Sequence, residues 1–122
     1  MIPGKHNFVP HKRGDTFNGH SFEIFVKVNE VLTPVNFTGA EILIQVKITP
    51  ESNYILEWST SNGGVTISGA LNNVINMNVK TGLQMRIDPG IYQYDINVLL
   101  SNGVTNTYVE GTFVVVNNIS KP

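Results

Sequence analysis

Alternation with a period of two is the feature that most limits what this chain can fold into. Phe22, Ile24, Val26 and Val28 fall on one side of an extended segment, with Glu23 and Lys27 on the other; Ile42, Ile44, Val46 and Ile48 repeat the pattern against Gln45 and Lys47. Successive side chains of a strand point to opposite faces, so runs of this kind bury one face and wet the other. Tyr54, Leu56 and Trp58 alternate with Ile55 and Glu57, and Ile75, Met77 and Val79 alternate with Asn76 and Asn78. No stretch keeps a helical period over three turns. Turn signals recur at Thr33-Pro34, Thr49-Pro50, Asn62-Gly63, Asn72-Asn73, Asp88-Pro89-Gly90 and Asn102-Gly103. About seven or eight short strands between tight turns predict an all-β, antiparallel sandwich or barrel.

Two local signatures refine that expectation. Asn102-Gly103 predicts a two-residue type I′ hairpin. In that register Leu100 faces Thr105, Val98 faces Thr107, Ile96 faces Val109 and Tyr94 faces Gly111 on a mostly apolar side. Leu99–Asn106, Asn97–Tyr108 and Asp95–Glu110 pair on the other side, and a one-residue slip would mix the faces. Asp95 opposite Glu110 juxtaposes like charges, which reads either as a cation or basic-partner site or as two solvated carboxylates offset by a bulge at Gly111. Upstream, Asp88, Gly90, Tyr92 and Tyr94 have the spacing of an immunoglobulin tyrosine corner, in which a Tyr hydroxyl turns back onto the preceding backbone. Tyr94 then stands where antibody domains place their second disulfide cysteine, and this chain has no cysteine.

With 122 residues, 41% of them hydrophobic, one domain with one core is expected. Only 14% are charged, so Asn and Thr must supply much of the polar surface. A net charge of −1 lacks the electrostatic footprint of a nucleic-acid or anionic-membrane binder. The basic cluster Lys5, His6, His11, Lys12 and Arg13 precedes every strand pattern and reads as a charged arm. Without cysteine there is no disulfide framework and no thiolate. The first residues lack a secretory apolar region, and no apolar run approaches the ~18 residues of a membrane span, so a soluble chain made in a cytoplasm is expected. The expected division is an extended arm over 1–12, a sandwich over 13–117 and a short tail over 118–122.

Catalytic chemistry is not expected. His6, His11 and His20 lie in or beside the arm with no metal spacing, and the nine acids are scattered singly. There is no GxSxG elbow or phosphate-cradling loop, so no enzyme activity, cofactor or metal is predicted. Two contact surfaces are. The arm offers Lys5, His6, Phe8, Val9, Lys12 and Arg13, is stiffened by two prolines, and is expected to order only on contact with another subunit. Tyr108, with Asn97 and Asn106 on the polar side of the hairpin, makes a candidate surface contact for a glycan or a protein. Arg13-Gly14-Asp15 reads as the bend from arm into sandwich, with Gly14 as hinge and Asp15 in an Asx-type turn, and not as an integrin motif.

Taken in order, HKRGDTF, TPVNFTGAEILIQVK (Thr33 to Lys47), TGLQMRIDPGIYQYDINV (Thr81 to Val98) and SNGVTNTYVEGTFVVV (Ser101 to Val116) resemble the N-terminal domain of the phage baseplate upper protein family and related small phage and prophage structural domains. The resemblance covers about residues 13 to 116. It implies an immunoglobulin-like sandwich serving as a non-enzymatic, multi-copy virion subunit. Its partners would be other virion proteins and copies of itself, and its location the virion, after synthesis in the bacterial host. The coiled coil and distal module of the larger baseplate proteins are not present in this sequence, which points to a free-standing adaptor, collar, baseplate or capsid decoration role. A carbohydrate-binding or adhesive module on the same fold is the alternative expectation.

Overall fold

The computed structural model describes residues 2–120; Met1, at the start of the expected arm, and Lys121 and Pro122, at the end of the expected tail, lie outside them. Eleven strands and no helix occur among the described residues: β1 (Gly4–Lys5), β2 (His11–Lys12), β3 (His20–Glu23), β4 (Phe25–Val28), β5 (Val31–Pro34), β6 (Glu41–Lys47), β7 (Leu56–Ser59), β8 (Val65–Ser68), β9 (Val74–Met77), β10 (Gly90–Leu99) and β11 (Thr105–Val116). One sheet runs β1-β11-β10-β6-β7, with β2 also on β11; a second runs β3-β9-β8; β4 and β5 form a separate ribbon. In immunoglobulin lettering the second sheet is B-E-D and the first is G-F-C with one further strand beside C. The chain is an immunoglobulin-like β-sandwich. With β1 and β2 counted as one interrupted strand and the ribbon set aside, eight strands make the sandwich.

The core follows from the alternation. Ile42, Ile44 and Val46 of β6, Leu56 and Trp58 of β7, and Tyr92, Tyr94, Ile96 and Val98 of β10 turn inward to meet Phe22, Val65, Ile75 and Met77 of the other sheet. Each fully buried side chain of this size contributes roughly 1.5–3 kcal/mol of transfer free energy. Trp58 is fully buried, and its indole N–H donates to the carbonyl of Asn78 at 3.0 Å, which ties β7 to the chain leaving β9. The Lys80 ammonium lies 4.7 Å from the Trp58 ring centroid, a cation–π contact at the sandwich edge.

The tyrosine corner is formed: the Tyr92 hydroxyl donates to the carbonyl of Asp88 at 2.5 Å, and Gly90 sits against the Tyr92 ring. Tyr94 fills the central position expected for it, with its ring centroid 4.9 Å from that of Phe8, and Phe17, Phe22 and Phe113 surround Phe8 in turn. An aromatic nest thus occupies the region where a disulfide would otherwise join the sheets.

Several strands stop short of their alternating pattern. Ile48, Tyr54 and Val79 are more than half exposed, because β6, β7 and β9 end or begin one or two residues inside them. The run from Phe22 to Val28 is two strands, not one. Ile24 donates its backbone N–H to Asn73 and accepts from Val35, which spends its hydrogen bonds on loops and frees the chain after it to leave the sandwich as the β4–β5 ribbon.

Candidate functional site

Two surface features stand out: the seat of the N-terminal arm on β11, and the β4–β5 ribbon.

The arm is extended, and it is seated on its own sandwich. β1 and β2 pair in parallel with β11, with Lys5 beside Glu110 and His11 beside Val115. His6 and Phe8 donate backbone N–H groups to Glu110 and Thr112 at 3.0 and 3.1 Å. The expectation that the arm orders only on contact with another subunit is therefore corrected. Backbone pairing along an otherwise open sheet edge and the burial of Phe8 among Tyr94, Phe113 and Phe17 are available within one chain. The Tyr94 hydroxyl donates to the His6 carbonyl at 2.6 Å, and burial pushes that hydroxyl's pKa well above its usual range. A Cβ on Gly111 would lie 1.8 Å from the same carbonyl oxygen, so only glycine lets the arm cross β11 there.

Of the six arm residues predicted to bind a partner, three face their own domain. Lys5 forms an ion pair with Glu110, Phe8 packs as described, and His6 stacks on His20 with ring centroids 4.8 Å apart. Val9 is 83% exposed and Lys12 also faces outward. Arg13 is half-buried, with its N–H on the Val116 carbonyl and its own carbonyl accepting from Asn118. Gly14 does adopt a left-handed φ of 82°, but it is clamped as well as bent: its N–H donates to Met85. Asp15 makes no Asx turn; its carboxylate accepts from the Asn118 side chain at 3.4 Å while its N–H donates to Lys12.

Asp95 and Glu110 are direct ladder partners with no bulge at Gly111. The basic groups that offset them belong to the same chain: Lys5 on Glu110 and Lys47 beside Asp95. Burial raises the Asp95 pKa, Lys47 opposes that rise and Glu110 adds to it.

The predicted contact surface of Asn97, Asn106 and Tyr108 is not assembled. Leu100 donates to Val104 and Gly103 to Leu100, and of the two turn residues only Gly103 has positive φ. The loop is therefore a three-residue turn closed by a left-handed glycine, with Asn102 accepting from Val104 through its side chain. The longer loop shifts the tip register by one, so Asn97 faces Thr107, and a bulge after Ile96 restores the expected register from Val109 onward. Tyr108 is the extra residue. It turns inward to 7% exposure, edge-on to Phe37 at 5.5 Å, and takes a hydrogen bond from Asn106. Asn97 points the other way, to Thr107.

The ribbon is the candidate feature that sequence reasoning missed. Phe25, Val28, Val31 and Leu32 are 42%, 51%, 63% and 64% exposed, and they share a short two-stranded element whose outer edges pair with nothing among the described residues. Its turn, Asn29-Glu30, has φ of 50° and 66°, a left-handed pair that suits glycine and is uncommon for glutamate. The signal was available: a Phe-Val and a Val-Leu pair, each apolar on both faces, flank a two-residue Asn-containing turn.

No protein-family model matches the chain, and no curated protein matches it. Among solved structures it is similar to the crystal structure of CopC from Methylosinus trichosporium OB3b, over 93% of this chain and 89% of that one, with a TM-score of 0.48 and 11% identity.

Proposed function

We propose that this chain is a non-enzymatic structural subunit of a bacteriophage virion, acting in multiple copies as an adaptor, collar, baseplate or decoration protein. The observation that carries the reading is the β4–β5 ribbon, which holds four large apolar side chains out of the core on a strained turn. Exposed apolar clusters of this kind mark protein contacts, and backbone strain is kept where function needs the geometry. The ordered sequence resemblance to small phage structural domains supplies the setting. Other virion proteins and further copies of the chain are the partners, with no role for nucleic acid or membrane. The glycan-binding alternative has lost its proposed aromatic platform, since Tyr108 packs inward on Phe37.

Mass spectrometry of purified particles from the phage or prophage encoding the chain tests this, together with a Val31→Ser/Leu32→Ser variant. The expected result is many copies of the native chain per particle, and a variant that folds with unchanged circular dichroism but is absent from particles. A native chain missing from purified particles would sink the proposal.

A further inference from the structure

We propose that the N-terminal arm is an exchangeable strand: in mild acid the arm of one copy leaves its own β11 and takes the equivalent place on a second copy. The seat is cut for this arm and little else. Gly111 clears the path of the His6 carbonyl, the Tyr94 hydroxyl donates to it, Glu110 holds Lys5, and Phe8 enters the aromatic nest. An empty seat leaves the Tyr94 hydroxyl and the β11 edge without those partners, and an identical arm restores every contact. Exchange of an identical element is a low-cost route to association, because both forms contain the same interactions and differ mainly at the hinge. Gly14 is placed to be that hinge: it has a left-handed φ, and its N–H bond to the Met85 carbonyl keeps the pivot on the sandwich while the residues before it leave.

The arm is also lightly held. β1 and β2 contribute two residues each to the ladder, Pro3 and Pro10 have no N–H to give, and Val9 faces solvent.

Acid enters through the histidine stack, which spans the junction between the arm and the B-E-D sheet. His6 comes from the arm and His20 from β3, at 4.8 Å, with Phe8 and Phe22 packed edge-on around them. Met77 of β9 is the ladder partner of His20. From β10 the Tyr94 hydroxyl meets the His6 backbone, and from β11 the nearby carboxylate, Glu110, is already engaged by Lys5. Burial, then His6, hold the His20 pKa below its ordinary value. A proton on His20, stacked on the His6 ring and enclosed by these apolar neighbours, is poorly accommodated, and that cost pushes the arm off its seat.

This inference deepens the multi-copy reading and rests on it for its purpose. Its test uses the purified chain alone, so it stands or falls independently of where the chain resides. Because the chain has no cysteine, Lys5→Cys and Glu110→Cys variants can be mixed, held at about pH 5 or about pH 7.5, returned to neutrality and oxidised. A disulfide between the two variants, in excess of the dimer that either variant forms alone, reports the arm of one on the β11 of the other. The expected result is ~10-fold more of this heterodimer after the acid step, with the native chain doubling in mass by light scattering at the same pH. A His6→Phe/His20→Phe variant, which keeps the stack without its charge, should lose the acid dependence while the arm stays seated. No heterodimer above the level of either variant alone, equal amounts at both pH values, or unfolding in acid without exchange would each overturn the proposal.

Discussion

At Gly111 a single missing Cβ decides the course of the first dozen residues, since a methyl group there would lie 1.8 Å from the His6 carbonyl oxygen. Gly111→Ala is expected to lift the arm at that point and cost about 1–3 kcal/mol, the range for forcing extra volume into a filled site. Urea unfolding would measure the loss, and amide exchange at His6 and Phe8 would localise it; unchanged protection at those amides would refute the account. Tyr92 acts by its hydroxyl, whose bond to the Asp88 carbonyl fixes the entry to β10. Tyr92→Phe removes that bond and leaves the ring, so a loss of about 1 kcal/mol is expected by thermal or chemical denaturation. Both Tyr92 and Tyr94 were legible as a pattern in the sequence. Gly111 was visible only as the hairpin partner of Tyr94 and as a possible bulge, because its constraint comes from a backbone more than a hundred positions away.

Among the elements, the β10–β11 hairpin and the β4–β5 ribbon show what turn chemistry can and cannot announce. Asn102-Gly103 marked the hairpin correctly, and the Asp95–Glu110 and Tyr94–Gly111 pairings stand as expected. The loop itself has three residues, and the bulge that compensates for it is what buries Tyr108. Sequence alternation does not reveal a bulge, since one added residue flips the faces on one side only. The ribbon's turn makes the opposite case: Asn29-Glu30 adopts a left-handed pair with no glycine. Glu30→Gly should therefore relieve a local penalty and stabilise the domain by roughly 0.5–1 kcal/mol, after the entropic cost of glycine in the unfolded chain. A midpoint in urea that falls instead of rising would show that the Glu30 side chain holds the turn by other means.

For the whole molecule, two groups with shifted pKa values act below neutral pH, and with opposite signs. The His20 pKa is lowered in the folded state, so folding favours its neutral form. The associated stability is complete above the unfolded value near 6.5 and is lost as pH falls through the lower folded value. The Asp95 pKa is raised, so its contribution favours the fold at low pH and is lost as pH rises through the carboxylate range. Of these two, only the His20 effect falls between about pH 7.5 and pH 5.5. Thermal midpoints should fall across that window in the native chain and fall less in His20→Phe; equal slopes would remove His20 as the cause.

The sequence by itself determined the class of the fold, most of the strand positions, the tyrosine corner and the inward placement of Tyr94, because alternation and turn chemistry are local and each strand announces its own buried face. Tertiary structure alone decided where the arm goes, which way Tyr108 points, which lysines offset Asp95 and Glu110, and that the run after Ile24 leaves the sandwich. Those outcomes depend on which edge is open and which backbone groups remain unpaired once the sheets have met, and neither is written in any single stretch of the chain.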